Sequence, residues 1–219
     1  SDHQFINQTS NSGTPLNLAV KLNNLPIAKR LLSIKGIDPS LYETNNETPL
    51  ITAISSFNIE MTNAILEFYG EEIKSQQWQL DEAVVKFLQN MPRSRSKLGP
   101  RSRLNRPSSS SSNDPKFLAM LNRLLEIESI NINCHSNQYS LFSYACQANE
   151  IDIIKMLIQN EKVDVNSYAP ADGNTPLIIS ILNNHIEVAK LLIECERTNL
   201  NMRNYENDTA LTLAVRKKL

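Results

Sequence analysis

Cysteine is scarce in this 219-residue chain. The three present are an odd number without paired spacing, which fits a reduced interior better than a disulfide framework. Glycine is scarce as well, at five residues, so Gly-rich loops that cradle phosphate have little material to form from. No stretch approaches the roughly 18 apolar residues of a membrane span, so membrane insertion is not expected. Ser1 to Asn7 are polar and lack the apolar core of a signal peptide. Charge of one sign is missing too: 22 Lys and Arg stand against 23 Asp and Glu. A net charge of −1 gives the whole molecule no general pull on nucleic acid.

What is present is repetition. Thr14-Pro15-Leu16, Thr48-Pro49-Leu50 and Thr175-Pro176-Leu177 are three copies of one tripeptide. Ser140-Leu141-Phe142 and Thr209-Ala210-Leu211 are degenerate copies, and Trp78-Gln79-Leu80 is a weaker one. The first residues are separated by 34, 30, 62, 35 and 34 positions, so the long gap is one period plus about 28 extra residues. Five positions after each start stands a small residue: Ala19, Ala53, Ala83, Ala145, Ser180 and Ala214. An apolar residue follows it, from Val20 through Ile54, Val84, Cys146 and Ile181 to Val215. A small residue beside an apolar one predicts a short helix packed closely on a neighbour, with Pro in its first turn, where the missing N–H is not needed.

A second helix is expected in the first five copies. Its apolar sets are Leu25, Ile27, Leu31, Leu32; Ile59, Met61, Ile65, Leu66; Leu118, Met120, Leu124, Leu125; Ile151, Ile153, Leu157, Ile158; and Ile186, Val188, Leu192, Ile193. These spacings make one wide apolar stripe per helix. Asn23, Asn149 and Asn184 stand where a cap is useful. Strand-like segments follow at 37–40, 130–133, 163–166 and 198–201, each ending in Asn or Ser. Copy two lacks one, which predicts a shortened connection around Tyr69 to Ser75.

With these features together the chain resembles the ankyrin repeat family along nearly its whole length. In that family's pattern a His follows Thr-Pro-Leu; here Asn17, Ile51, Asp81, Ser143, Ile178 and Thr212 stand there. The family's Gly before the second helix is replaced by Asn23, Phe57, Lys116, Asn149 and Asn184. The resemblance implies an all-α helical repeat solenoid of about five helix pairs plus a partial sixth repeat, with short β-turn fingers. It implies protein recognition through fingers and inner helices. A helix pair this short cannot bury its stripe alone, so neighbours are required. The expectation is a single domain over 1–219. The chain begins inside the pattern and stops after a first helix, so it is read as part of a longer protein.

The extra residues, 88–115, hold Arg93, Arg95, Lys97, Arg101, Arg103 and Arg106 against Asp114, about +5 in net charge. With Pro92, Pro100, Pro107 and the run Ser108 to Ser112 they read as a flexible insert inside the third repeat. Three roles stay open: a solvated loop, a docking segment controlled by phosphate on Ser96 or Ser109, each three residues after an Arg, or a nucleic-acid or nuclear-import patch.

No catalytic, cofactor or metal residues emerge. Cys134-His135 has no second pair at zinc spacing, Cys146 occupies a core position, and His185 reads as an exposed cap. The candidate protein-binding residues are the finger-tip side chains Tyr42, Glu43, His135, Tyr139, Tyr168, Asp172, Arg203 and Tyr205. Tyr and Arg are enriched at binding hot spots, although a polar turn alone accounts for any one of them. The resulting expectation is a monomeric, non-catalytic protein-binding module without cofactor, in the cytoplasm or alternatively the nucleus. A regulatory or targeting domain of a larger enzyme or channel is the alternative, and nucleic acid is expected only through the insert.

Overall fold

The protein is described by a computed structural model at residues 6–10, 13–41, 47–70, 77–89, 114–136 and 139–219. Its helices are α1 (Pro15–Lys21), α2 (Leu25–Leu32), α3 (Pro49–Ser55), α4 (Ile59–Tyr69), α5 (Gln77–Gln89), α6 (Pro115–Glu126), α7 (Leu141–Ala148), α8 (Ile151–Ile158), α9 (Pro176–Leu182), α10 (Ile186–Glu194) and α11 (Ala210–Lys217). One antiparallel ladder pairs β1 (His135–Ser136) with β2 (Tyr139–Ser140). The fold is therefore all-α, with five helix pairs and a sixth first helix among the described residues.

Five of the six first helices, all but α5, start and stop by one rule. The opening Thr or Ser of the tripeptide is the N-cap: Thr14, Thr48, Ser140, Thr175 and Thr209 each accept from the backbone N–H three residues on, at 3.2–3.3 Å. Each such cap stabilises by about 1 kcal/mol. The stop is a left-handed residue, Asn23, Phe57, Asn149, Asn184 or Lys218, with φ between 53° and 60°. The residue after it donates back to the carbonyl of the small residue, as Asn24 does to Ala19 and His185 to Ser180, both at 2.8 Å. Those carbonyls would otherwise be orphaned at the helix end.

Two expectations about these turns are corrected. Asn23, Asn149 and Asn184 do not cap the second helices; they occupy the left-handed stop, and the N-caps are Asn24, Asn58, Glu150 and His185, one residue after such a stop. Asn24 and Asn58 accept from Ile27 and Met61 N–H at 3.2 and 3.0 Å, whereas Glu150 and His185 make no side-chain cap bond. Lys116 is not at a left-handed stop either, because α6 begins at Pro115 and includes it.

Phe57 is the bulky exception among the left-handed residues, a conformation costly for such a side chain. Its ring meets Phe87 edge-on at 5.8 Å and Phe117 at 5.5 Å, while Phe87 and Phe117 stack at 4.5 Å. Such pairs contribute roughly 0.5–1.5 kcal/mol each beyond area burial, enough to offset the backbone cost. The cluster ties α5 to α6 across the insert. Both helices reach into the ends of the 88–115 stretch, and residues 90–113, including Ser96 and Ser109, lie outside the described residues.

The described residues fall into two compact units, one of α1 to α6 and one of α7 to α11. In the first, α3 packs on α1 and α5, and α4 on α2 and α6. In the second, α9 packs on α7 and α11, and α10 on α8. Each unit thus has a row of first helices and a row of second helices. The small residues lie between first helices: Ala53, Ala83, Ala145 and Ser180 are wholly buried.

The stripe of the second helices is buried less evenly than its pattern promises. Met61, Ile65, Ile153, Leu157, Val188 and Leu192 are all fully buried. Yet Ile27, which matches Met61, is 50% exposed, and Ile186 and Ile193 are 41% and 54% exposed. Ile27 lies on α2, which packs on α1 and α4, and Ile186 and Ile193 lie on α10, which packs on α8 and α9; these contacts leave all three side chains partly exposed. The strand-like segments are corrected as well. Three are turns in which Ser40, Asn166 and Asn201 N–H donate to the Oδ1 of Asp38, Asp164 and Asn199 at 2.9–3.0 Å. A short acidic or amide side chain satisfies its own backbone and removes the need for a ladder. The Asn that closes a segment instead grips the next copy. Asn133 donates to Lys162 O and accepts from Asp164 N–H at 2.7 and 2.8 Å, and Asn166 does the same with Arg197 O and Asn199 N–H, both at 2.8 Å.

Candidate functional site

The fingers of the second unit precede α7, α9 and α11, and they carry the candidate side chains of this half on three successive turns. In the first of these, β1 and β2 pair His135 with Ser140 and Ser136 with Tyr139. His135 is exposed and Tyr139 is half-buried, its hydroxyl accepting from Gln147 Nε2 at 3.3 Å. Gln147 projects from α7, so a helix side chain fixes a finger side chain. Burial raises the Tyr139 pKa, and the negative charge of Asp172 on the next finger raises it further.

The second finger has one residue more between Asn166 and Thr175 than the third has between Asn201 and Thr209. It is pinned at both ends, with Ala169 N–H donating to Asn174 O at 3.0 Å and Gly173 N–H to Ala169 O at 2.8 Å. Asp172 Oδ1 accepts from Asn174 N–H at 2.9 Å. The turn needs Gly173, whose φ is +71° and whose missing side chain leaves room for the Tyr205 ring. An added Cβ would stand 2.6 Å from Tyr205 Cδ1. Tyr205 N–H donates to Asp172 O at 3.0 Å, joining the second and third fingers. Below them the buried amides of Asn204 and Asn174 are bonded at 2.9 Å.

The tips are therefore ordered by backbone contacts while their side chains stay outside. Tyr168 is 52% exposed and Tyr205 64% exposed, and Asp172 and Arg203 are exposed too. Arg203 folds onto its own finger, donating to Asn207 O and Oδ1 at 3.0 and 3.2 Å. Asp172 and Tyr205 are thus linked directly, with Tyr168 and Arg203 on the same two fingers and Tyr139 and His135 on the ladder of the first finger. Tyr42 and Glu43 lie outside the described residues. Gln147, Gly173 and Glu206 were not singled out from sequence; the extra residue before Thr175 was the available signal for the pinned tip.

At the family's His position the polar residues bond locally. Ser143 Oγ donates to Ser167 O at 3.3 Å and Thr212 Oγ1 to Asp208 Oδ1 at 3.3 Å, while Ile51 and Ile178 are buried. His185 is half-buried at the N-cap of α10 but makes no side-chain cap bond; its Nδ1 lies 3.0 Å from Cys146 O, the backbone of the preceding copy. It thus meets the carbonyl and not the thiol. Burial also pushes the Cys146 thiol far up, away from thiolate chemistry. Among the described residues no group of three His, Cys, Asp or Glu could hold a metal ion, and no helix is long and apolar enough to cross a membrane.

The comparisons agree with this geometry. The ankyrin repeats model matches residues 1–77 and 142–219 in three copies. Among solved structures, the ankyrin repeat domain of Bcl-3, described as a unique member of the IkappaB protein family, superposes with a TM-score of 0.69 at 18% identity, covering 95% of this chain and 82% of that one. An ankyrin repeat protein from Leishmania major gives 0.66 at 16% identity, over 97% and 69%. The ankyrin repeat protein EF0377 gives 0.63 at 18% identity, over 93% and 91%. Two curated relatives match one stretch each. Alpha-latroinsectotoxin-Lt1a of Latrodectus tredecimguttatus is 30% identical over 91 residues, 42% of this chain and 6% of the toxin. The NAD-dependent deacetylase sir2B of Dictyostelium discoideum is 25% identical over 96 residues, 42% of this chain and 12% of that protein. The chain therefore spans a small fraction of the curated relatives it matches. With the family's model matched over more than half of its length, on the stacked helix pairs and fingers described above, this chain belongs to the ankyrin repeat family.

Proposed function

We propose that the chain is a non-catalytic protein-recognition module that holds its partner on the fingers and first helices of the second unit. One observation carries the reading: the second and third finger tips are joined by the Tyr205 N–H bond to Asp172 O while Tyr168, Asp172, Arg203 and Tyr205 stay exposed on them. Aromatic and Arg side chains held on an ordered backbone lose little freedom on binding, which is how a hot spot forms. Ankyrin repeats are in general protein-interaction modules. The test is affinity capture with mass spectrometry, comparing the wild type with Tyr168→Ala/Arg203→Ala. Partners held by the wild type and lost by the double variant support the reading. A partner set unchanged by the double variant, and competed only by the basic segment 92–107 as a peptide, would move recognition to the insert.

A second reading has its own observation. In both curated relatives the matching stretch is a minor part of a much longer protein. The same surface would then serve as a regulatory or targeting element for whatever chemistry or membrane activity the rest of such a protein supplies. Fusing the chain to an unrelated reporter and following where it accumulates separates the two: relocation by the wild type, abolished in the finger variant, favours targeting.

A further inference from the structure

We propose that Asp172, flanked in finger order by Tyr139 and Tyr205, is a socket for an Arg or Lys side chain, and that the partner segment seated on these fingers is an extended basic peptide. This rests on the protein-recognition reading above and adds the partner's chemistry to it.

The three residues come from three consecutive fingers. Tyr205 lies against Gly173, the neighbour of Asp172, and its N–H holds the Asp172 carbonyl at 3.0 Å. On the other side Tyr139 is near enough to feel the Asp172 charge. The carboxylate itself is half used: Oδ1 takes the Asn174 N–H, and among the described residues Oδ2 has no hydrogen bond and no ion pair. Glu206, beside Tyr205, is exposed and has no salt bridge among the described residues. Three cations of this unit have other partners and pair with neither carboxylate. Arg203 donates to Asn207, Arg216 is paired with Asp208 at 2.8 Å, and Lys217 donates to Leu182 O at 2.6 Å.

A guanidinium or ammonium placed here gains a charge-assisted bond to Asp172, with the exposed Tyr205 ring on the adjoining finger for it to lie against. The same negative charge opposes phosphate, so a nucleic-acid strand does not fit. The fingers follow one another in series, which suits an extended segment better than a single small cation. Tyr139 accepts from Gln147 and has no acceptor for its own proton among the described residues, so its O–H can donate to a backbone carbonyl of that segment.

The experiment uses the whole chain 1–219 and three synthetic peptides of the form Gly-Ser-X-Ser-X-Ser-Gly, with X as Arg, Lys or Gln, followed by backbone amide shifts in NMR. The expected result is that the Arg and Lys peptides shift the amides of Tyr139, Asp172, Gly173 and Tyr205 and that the Gln peptide does not. Asp172→Asn, which keeps the oxygen that accepts from Asn174, should weaken the Arg peptide at least about fivefold, the scale of one charge-assisted bond at an exposed site. Equal shifts from the Gln peptide, shifts confined to other surfaces, no shifts from any peptide, or full affinity in Asp172→Asn would each overturn the socket. The two readings fail differently. A captured protein partner lost by Tyr168→Ala/Arg203→Ala but kept by Asp172→Asn removes the cation socket and leaves protein recognition standing.

Discussion

Replacing Gly173 by Ala perturbs the candidate surface without removing any side chain that a partner would touch. Two costs add. At φ +71° an L-residue loses roughly 1–2 kcal/mol in the left-handed region. The new Cβ also falls 2.6 and 2.8 Å from two Tyr205 ring carbons and 3.0 Å from its nitrogen, so the ring and backbone of the third finger must withdraw. Losing the Tyr205 N–H bond to Asp172 O adds roughly 0.5–1.5 kcal/mol. Gly36→Ala is the control, because Gly36 has φ +91° and nothing within 4 Å of an added Cβ. Both variants share the backbone cost and the reduced entropy of the unfolded chain, so their difference reports the clash. Urea unfolding followed by circular dichroism should show Gly173→Ala weaker by about 0.5–2 kcal/mol than Gly36→Ala. Amide hydrogen exchange at Tyr205 should rise roughly threefold to tenfold in Gly173→Ala alone, the equivalent of the lost bond. Equal losses in the two variants with unchanged Tyr205 exchange would refute the ring-over-glycine account.

Leu157→Ala, at a fully buried position in α8, should cost about 2–5 kcal/mol through a cavity, read from the urea midpoint. Phe117→Ala should cost about 3–5 kcal/mol, and Phe117→Leu less, because Leu restores volume without the ring contacts to Phe57 and Phe87. Tyr139 has a raised pKa, so its contribution is complete below the unfolded value near 10 and is lost as pH rises through the folded value. Stability measured from about pH 9 to 11, the range that brackets an ordinary Tyr pKa, should therefore fall less steeply in Tyr139→Phe than in the wild type.

The architecture was legible because the repeat writes its own punctuation. Five of the six tripeptide starts were N-caps, all but Trp78, which lies inside α5; the small residues five positions on lay between helices, and the Asn and Phe at the family's Gly position adopted the left-handed turn. What stayed hidden depends on partners distant in sequence. Asn133 and Asn166 looked like the ends of strands, yet their amides bind the backbone of the following copy, a contact no local pattern contains. Ile27 and Ile193 fit the apolar stripe, but burial at those positions depends on a neighbouring helix and not on periodicity. Phe57 stood at a position that wants Gly, and only its meeting with Phe87 and Phe117, from two helices separated by the insert, makes it tolerable. At the candidate site, Tyr168, Asp172 and Tyr205 were visible as finger residues. Their linkage through Gly173 was not, because it needs the extra residue of the second finger and the backbone bond to the third.

Whether the pinned fingers of the second unit are where a protein partner binds is tested most directly by calorimetry. The affinity of a captured partner is compared for the wild type, for Tyr168→Ala/Arg203→Ala, and for Lys155→Ala, a control at an exposed position on α8. The account predicts that the finger variant loses about 1–3 kcal/mol of binding, the span from an ordinary contact to a hot spot, while its melting temperature stays put and Lys155→Ala binds normally. Full affinity in the finger variant for every partner that binds 116–219 would contradict it.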